Sequence, residues 1–317
     1  MPASEFSIIK EYFTLASDVG IPPIVGIGDD CAVLDIPDSK QLAVSTDTLV
    51  EGVHFLANSD PTLLGHKVLA VNLSDLAAMG ATPAWVSLAI TLPSIDKPWL
   101  SSFSKGFFAL AEKHSLRLIG GDTTRGPLSI TITIMGLLAK NQRLTRSTAN
   151  VGDSVYVSGY IGNAGLGLQK ARLGVSDLND ADLVSYLTPM PRVSLGEALL
   201  TVATSCIDVS DGLSADLNHI LSLSGVGATI EHNALPLTPS VQEHILKLDD
   251  ELWPYSTGDD YELCFTAPER LKIESMKEFS SYKITKIGVI ENKPGLRIKK
   301  PTGSTVVLDK GYQHFND

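Results

Sequence analysis

The chain has 317 residues, 44% of them hydrophobic, and its 36 acidic and 25 basic residues give a net charge of −11 at pH 7. Two domains are expected at this length, and so acidic a chain is unsuited to a nucleic-acid backbone, which is bound through Lys and Arg. No apolar run approaches the roughly 18 residues of a membrane span, and residues 1–11 lack the features of a secretory signal. A cytoplasmic globular protein with neither a membrane nor a nucleic-acid partner is expected.

The three cysteines, Cys31, Cys206 and Cys264, show no C-x-x-C spacing. An odd number without that spacing indicates neither a disulfide framework nor a thiolate zinc site. Each cysteine lies in an apolar run and is interpreted as a small core residue. Because Cys31 directly follows Asp30, a reactive thiol at Cys31 is kept as a minor hypothesis.

The first predicted element is a helix that Ser4 caps and that extends to about Ser17, because its apolar residues follow helical spacing. A Gly-rich segment, 24–30, then ends in two acids, a composition that allows a tight turn or close approach to a ligand. The apolar run 42–44 predicts a strand that ends at the polar triplet Ser45-Thr46-Asp47.

Asp60-Pro61 predicts the start of a helix that is apolar on nearly every side and ends at Gly80. We expect this helix to be buried, and Asp75 on it then needs a cation or hydrogen bonds. The further elements predicted in this half are strand 85–92, helix 97–114, strand 116–119 leading to the turn Gly120-Gly121-Asp122, and strand 130–138.

A domain boundary is predicted at about residue 148, because the periodic pattern lapses near Arg146 and residues 150–153 have the composition of a turn. The domains are then 1–148 and 149–317. In the second, the segment Asp208-Val209-Ser210-Asp211 again joins a strand end to a helix, which runs to about Leu221. The other elements predicted there are strands 154–158, 228–231, 261–266 and 284–290 and helices 180–187 and 193–203. Strands that pair with helices of these lengths predict an α+β fold.

Acidic residues recur at strand ends and Gly-rich turns, and carboxylate and hydroxyl oxygens suit Mg²⁺. Three hypotheses explain them: Mg²⁺ for phosphoryl transfer, a glycosidase carboxylate pair, or structural calcium. EF-hand spacing is absent, aromatic residues make up only 6% of the chain, and the neighbouring Ser, Thr and Gly residues favour phosphate. Since two unit charges about 4 Å apart repel by about 4 kcal/mol at an effective dielectric near 20, phosphate binding here requires interposed divalent cations.

A series of motifs resembles the thiamine-monophosphate kinase family, within the superfamily of aminoimidazole ribonucleotide synthetase. The motifs occur in the family's order over nearly the whole chain and are 26–32, 45–50, 71–80, 119–123, 208–213, 259–263 and 311–315. The resemblance implies a mixed α/β N-terminal domain that pairs in a dimer and a C-terminal α/β sandwich domain that completes the active site. It also implies ATP-dependent phosphorylation of thiamine monophosphate, with ATP bound without a P-loop, whose G-x-x-x-x-G-K-[ST] run is absent from the chain.

The resemblance also implies roles for individual residues. The implied Mg²⁺ ligands are Asp30, Ser45, Thr46, Asp47, Asp75, Asp122, Asp208 and Asp211. The implied ATP contacts are Gly121, Asp122, Arg146 and Ser210. Contacts with thiamine monophosphate are implied for His54, Glu262 and Tyr312. Lys105 departs from the family pattern, which often has an aromatic residue in that position.

The chemistry needs no general base, because a phosphate monoester is largely anionic at pH 7. Direct in-line transfer assisted by several Mg²⁺ ions is therefore expected. Two alternatives stay open. One is another superfamily activity, on a purine intermediate, selenide or a carbamoylated partner, and the other is a non-catalytic sensor of Mg²⁺ or nucleotide.

Overall fold

The computed structural model describes residues 5–14, 19–308 and 311–312, so Ser4 and residues 15–17 of the first predicted helix lie outside the described residues. The chain divides into two compact units, Met1–Leu76 with Ala81–Gln142 and Ala77–Gly80 with Arg143–Asp317. In the part of the chain that the structure describes, each unit contains one sheet, with four strands in the first and seven in the second. The predicted two-domain α+β fold is confirmed, while the functional roles predicted for the two domains stay predictions. Among the described helices, none is both long and apolar enough to cross a bilayer.

The first unit is built around a four-stranded sheet. Its strands are β1 (Lys40–Val50), β2 (Thr82–Leu92), β3 (Arg117–Arg125) and β4 (Ser129–Ala139), in the sheet order β1-β4-β2-β3. Its helices are α1 (Glu5–Ile8), which continues as a π-helical stretch over Ile9–Phe13, most of α2 (Pro61–Met79), and α3 (Lys97–Lys113). Strands β2 and β3 pair in parallel and the other pairs are antiparallel.

Helix α2 has the bounds and the burial that the sequence predicts. The Asp60 carboxylate accepts the backbone N–H groups of Thr62 at 2.8 Å and Leu63 at 3.1 Å, which caps the helix start. The central apolar side chains, such as Leu69 and Leu73, are fully buried at 0% exposure. A Cβ added to Gly65 would lie 2.2 Å from the Phe103 carbonyl oxygen, so a glycine is required where α2 contacts α3.

The predicted strand end at Ser45-Thr46-Asp47 is wrong, because these residues lie in the middle of β1. Strand β1 pairs with β4 over eleven consecutive residues, and Thr46 lies opposite Thr133. Polar residues can continue this strand because it is an edge strand with one exposed face. The Gly120-Gly121-Asp122 turn is likewise wrong, since those residues belong to β3 at the other edge of the sheet.

One face of the first sheet is partly open and carries threonines. The hydroxyls of Thr46 and Thr133 lie 2.9 Å apart, and those of Thr48 and Thr131 also lie 2.9 Å apart. We call this side, with Thr46, Thr48, Thr131 and Thr133, the threonine face. Val44 lies beside it on β1 and is 57% exposed. The opposite face of β4 is an apolar surface, on which Ile130, Ile132 and Ile134 are all 0% exposed.

The second unit is built around a mixed seven-stranded sheet. Its strands are β5 (Asp153–Ser158), β6 (Ser205–Asp208), β7 (Gly227–Glu231), β8 (Leu263–Pro268), β9 (Ile284–Glu291), β10 (Gly295–Lys299) and β11 (Thr305–Val307), in the order β11-β10-β7-β9-β5-β8-β6. Its helices are α4 (Asn163–Arg172), α5 (Ala181–Leu187), α6 (Val193–Leu199), α7 (Leu213–Ser224), α8 (Pro239–Leu248) and α9 (Trp253–Ser256). Helix α7 belongs to the buried cluster of this unit, where Leu213, Leu217 and Ile220 are 0% exposed.

Three details of the second unit differ from the sequence predictions. Strand β8 begins at Leu263 rather than at Tyr261, because Asp259 (φ +67°) and Tyr261 (φ +48°) adopt left-handed backbone conformations that a strand cannot contain. Helix α6 ends at Leu199 rather than at residue 203. The predicted elements also lack α8, α9, β10 and β11. Helix α8 did have a local signal, because Thr238 caps it and Pro239 is its first residue.

Asp260 connects the segment before β8 to the start of α4. Its two carboxylate oxygens accept the backbone N–H groups of Gly162 at 2.7 Å and Ala164 at 3.2 Å. Burial raises the pKa of this carboxyl to about 8, and the nearby Glu262 and Asp259 charges add to the increase. A contact that holds two distant parts of the unit therefore depends on pH.

We expect Asp260→Asn to change how the free energy of unfolding depends on pH. An unfolded aspartate titrates near about 3.9, whereas the pKa of folded Asp260 is about 8. Between these values the folded chain binds a proton that the unfolded chain lacks, so the stability contributed at this site falls as pH rises. Urea unfolding at pH 5 and pH 7.5 should show wild type losing more stability than Asp260→Asn over this interval.

The control for this prediction is Glu112→Gln, which changes an exposed acid of α3. Its unfolding free energy should follow that of wild type at both pH values. If Asp260→Asn also followed wild type, with a constant offset, the proposed protonation of Asp260 would be excluded.

Candidate active site

The predicted ligands of the first unit lie on both faces of its sheet. One cross-strand row contains Asp47, Ile132, Leu88 and Gly121, and the next contains Thr48, Thr131, Ala89 and Asp122. Successive rows point to opposite faces. Asp122 therefore shares the threonine face with Thr46, whereas Ser45 and Asp47 point to the other side. Strands β1 and β3 are the two edges of the sheet, so Asp47 and Asp122 are separated by three strand spacings, about 14 Å.

Ser45 and Asp75 are brought together on the side of the sheet that faces α2. The Ser45 hydroxyl donates a hydrogen bond of 2.5 Å to Oδ2 of Asp75, which is half-buried on α2. This contact supplies the kind of hydrogen bond that a carboxylate on a buried helix requires. Asp30 is exposed, and its backbone N–H donates to the Asp29 carboxylate at 2.9 Å.

His54 and Gly121 have constrained positions in the first unit. Nδ1 of His54 accepts the backbone N–H of Val50 at 3.0 Å, so the neutral ring carries its proton on Nε2. Gly121 has φ +153°, and a Cβ there would lie 1.7 Å from the Leu88 carbonyl oxygen. No larger residue fits at position 121, because β3 lies directly against the backbone of β2 there.

In the second unit, most of the predicted site residues come together around one turn. We call Asp208–Gly212, between β6 and α7, the acidic turn. Asp208 is 4% exposed, and Ser210 and Asp211 are half-buried. Three backbone hydrogen bonds tie the acidic turn to residues 259–262, as Asp259 N–H donates to Ser210 O, Tyr261 N–H to Val209 O, and Val209 N–H to Glu262 O, each at 2.8 Å.

Asp216 is a residue of this site that the sequence analysis missed. Its Oδ2 accepts the backbone N–H groups of Ser210 at 3.0 Å, Asp211 at 3.1 Å and Gly212 at 3.1 Å. Burial raises the pKa of its carboxyl well above the ordinary value, and the charges of Asp208 and Asp211 raise it further. An acid in the first turn of a helix that follows a polar turn is the sequence signal that could have identified it.

Glu262 already has a charged partner in the structure. Its carboxylate accepts a hydrogen bond of 2.7 Å from Nε of Arg192, a second from Nη2 of Arg192, and one from the Ser158 hydroxyl. A Cβ at Gly159 would lie 1.9 Å from Oε1 of Glu262, so Gly159 makes room for this carboxylate. No local pattern in the sequence marks Arg192, because its partner Glu262 lies 70 positions away.

Tyr312 lies beside the acidic turn, whereas Arg146 lies near the end of α7. The backbone N–H of Tyr312 donates to the Asp211 carbonyl oxygen at 3.0 Å, which fixes this part of the C-terminal segment beside the acidic turn. The Tyr312 side chain is 48% exposed. Arg146 is exposed, and its carbonyl oxygen accepts a hydrogen bond of 3.1 Å from the Ser224 hydroxyl at the end of α7.

The donor atoms of the predicted site fit magnesium. Within residues 5–14, 19–308 and 311–312, no three His, Cys, Asp or Glu side chains form a group that could hold a metal ion. Magnesium sites, however, commonly use only one or two carboxylates together with water and phosphate oxygens. Ser45 with Asp75, and Asp208 with Asp211, offer such oxygen donors, and Asp208 and Asp211 both lie close enough to Asp216 to raise its pKa.

Comparisons with known proteins identify the family. Residues 28–138 match the AIR synthase related protein, N-terminal domain, and residues 150–300 match the corresponding C-terminal domain. The chain is 47% identical to the thiamine-monophosphate kinase of Escherichia coli (strain K12), over 99% of both chains. A crystal structure of thiamine-monophosphate kinase from Stenotrophomonas maltophilia K279a matches with a TM-score of 0.83 and 39% identity, over 94% of this chain and 96% of that one.

A structure of AaThiL complexed with AMPPCP and TMP also matches, with a TM-score of 0.79 and 31% identity, over 98% of this chain and 97% of that chain. Similarity of this extent covers both units and every motif on which the resemblance rests. The chain belongs to the thiamine-monophosphate kinase family.

Proposed function

We propose that this chain transfers the γ-phosphoryl group of ATP to thiamine monophosphate, which yields thiamine diphosphate and ADP. The observation that supports the proposal is full-length membership in the thiamine-monophosphate kinase family. Several Mg²⁺ ions are part of the proposal, as is a cytoplasmic location, where ATP is available. The rival superfamily activities are disfavoured because relatives at this identity carry the name of a single activity.

The reaction is proposed to proceed by direct in-line attack. The phosphate of the acceptor has a second pKa of about 6, so its oxygen is already a nucleophile at pH 7 and needs no general base. Bound Mg²⁺ would supply the positive charge that offsets the repulsion between the two phosphates. The chain's own contribution is to hold oxygen donors in fixed positions: Ser45, Asp47 and Asp75 in the first unit, and Asp208 and Asp211 in the second.

Further predicted ligands and contacts complete the proposal. The remaining metal ligands would be Asp30, Thr46 and Asp122, and the ATP contacts would be Gly121, Asp122, Arg146 and Ser210. The thiazolium cation would meet the ring of Tyr312, a contact worth about 0.5 to 2 kcal/mol. Glu262 would contact thiamine monophosphate through its carboxylate, which the ion pair with Arg192 holds in position. His54 would donate a hydrogen bond to thiamine monophosphate from Nε2.

The first prediction of the proposed function is the reaction itself. Purified protein mixed with ATP, MgCl₂ and thiamine monophosphate should form thiamine diphosphate and ADP in equal amounts, separated and measured by liquid chromatography. EDTA in excess over MgCl₂ should stop product formation. Nucleotide binding without any thiamine diphosphate would favour the sensor hypothesis instead and would refute the kinase proposal.

The second prediction concerns Asp47. Replacing it with Asn keeps the shape of the side chain but removes a charge, so kcat should fall by more than about 10². The matched control is Asp38→Asn, which removes the same charge from an exposed position just before β1 and should retain wild-type kcat. Near-normal turnover of Asp47→Asn at saturating Mg²⁺ would contradict a role for this carboxylate in the reaction.

We also propose that the chain works as a homodimer whose first units pair through their sheets. Strands β1 and β3 are the two edges of the four-stranded sheet, and exposed edges are common places for pairing with a second chain. Asp47 and Asp122 lie on these opposite edges and on opposite faces. Pairing β1 with the β3 edge of a second copy would bring Asp47 near the partner's Asp122, so each site would use residues of both chains.

The third prediction tests this sharing by mixing two inactive variants. Asp47→Asn and Asp122→Asn chains, mixed in equal amounts and allowed to exchange subunits, form heterodimers in which one of the two sites is intact. Random exchange makes about half the dimers heterodimers, so about a quarter of wild-type activity should return. If both aspartates of a site came from the same chain, every site in the mixture would carry a substitution and no activity would return.

A further inference from the structure

Asp216 lies in the first full turn of α7 and is 2% exposed. None of the metal, nucleotide or substrate contacts proposed above involves Asp216. Its closest described partners are nevertheless the backbone groups of the acidic turn, which carries Ser210 and Asp211. The question is therefore whether Asp216 serves only the stability of the helix or also the geometry of the site.

The contacts of Asp216 differ from those of an ordinary helix cap. A cap normally satisfies free N–H groups in the first turn of its own helix. Helix α7 begins at Leu213, yet the three N–H groups that Asp216 accepts belong to Ser210, Asp211 and Gly212, which precede the helix. One carboxylate oxygen thus accepts hydrogen bonds from three consecutive backbone N–H groups, and these bonds fix the path of the acidic turn.

Gly212 fixes the same turn from its other end. Its φ is +114°, a conformation that other residues rarely adopt, and a Cβ there would lie 2.9 Å from the Ser256 carbonyl carbon. The turn is therefore held by a glycine that no other residue can replace and by a carboxylate at its centre. In such a turn, small displacements of Asp216 move Ser210 and Asp211 directly.

We propose that Asp216 is a positioning residue for phosphoryl transfer, whose carboxylate holds the acidic turn so that Ser210 faces the nucleotide and Asp211 faces Mg²⁺. The inference rests on the proposed function. Asp216 acts through the backbone of the turn and does not itself touch substrate. Its loss should weaken metal and nucleotide binding, because residues that orient metal ligands typically change metal affinity or activity by about 10- to 100-fold.

The test compares Asp216→Asn and Asp216→Ala with wild type in the full-length chain. The Mg²⁺ concentration for half-maximal activity should rise about 10- to 100-fold in Asp216→Ala and by less in Asp216→Asn, which keeps one acceptor oxygen. Calorimetry with Mn²⁺ and a non-hydrolysable ATP analogue should show the same order of affinities without turnover.

The matched control is Asp182→Asn. Asp182 is another buried aspartate of the second unit, 3% exposed, and it pairs with Lys170 at 2.8 Å away from the acidic turn. Its substitution should lower the melting temperature while leaving the Mg²⁺ requirement unchanged. If Asp216→Asn and Asp216→Ala behaved like this control, with lower stability and an unchanged Mg²⁺ requirement, Asp216 would be a structural residue only and the inference would be overturned.

Two further outcomes are separated by the same experiments. If Asp216→Ala did not fold, Asp216→Asn and Asp216→Glu would decide, since normal Mg²⁺ requirements and normal Mn²⁺–analogue affinities in both would refute the inference. If wild type bound the analogue but formed no thiamine diphosphate, the kinase proposal would fail. The order of the Mn²⁺–analogue affinities of wild type, Asp216→Asn and Asp216→Ala, measured by calorimetry, would still confirm or refute the role of Asp216 in positioning the turn.

Discussion

Repulsion between carboxylates and phosphates is the constraint on which the proposed active site depends. Two anionic substrates must meet among acidic side chains, so each carboxylate has to be held in place without losing its capacity to bind a cation. The Ser45 hydroxyl donates to Asp75, and three backbone N–H groups donate to Asp216. Such neutral donors fix oxygen atoms without adding a positive charge, and divalent cations are then the natural counter-charge for the acidic site. Glu262 is a contrast, since Arg192 already neutralises it.

The fold supplies the rigid positions that this arrangement requires. Strand β1 carries Ser45 and Asp47 on one side and Thr46 on the other, and its pairing with β4 along eleven residues leaves little freedom of register. In the second unit, the acidic turn is bonded to residues 259–262, to the backbone of Tyr312 and to Asp216. Polar groups on these elements are therefore positioned by backbone hydrogen bonds, which suits a reaction whose catalysis is mainly a matter of placement.

The parts of the fold that could be predicted from sequence are those with local signals. The sequence predicts helix α2 with its cap at Asp60 and its end at Gly80, and it predicts the acidic turn between a strand and a helix, because each signal lies within a few residues. The sequence pattern ends strand β1 too early, since the polar half of the strand is stabilised by pairing with β4, some 85 residues later in the chain. Local polarity alone cannot distinguish an edge strand with an open face from a loop.

The site shows the same limit. The family motifs identified its residues, but the placement of Asp47 and Asp122 on opposite faces follows from sheet register, which motifs do not contain. Arg192 acts on a residue 70 positions away, and no local pattern marks it. Asp260 lies in the motif 259–263, but the motif does not show its contact with Gly162, 98 positions away. Asp216 had a local signal, an acid in a first helical turn, but its three bonds to the acidic turn became visible only in three dimensions.

A crystal structure with Mn²⁺, a non-hydrolysable ATP analogue and thiamine monophosphate would test the central claim most directly, because anomalous scattering locates Mn²⁺ independently of the protein. The account predicts anomalous peaks between phosphate oxygens and the carboxylates of Asp47, Asp75, Asp208 and Asp211, at ligand distances of about 2.1 Å. Both substrates bound with their phosphates in direct contact with protein side chains, and no metal peak at any of these carboxylates, would contradict it.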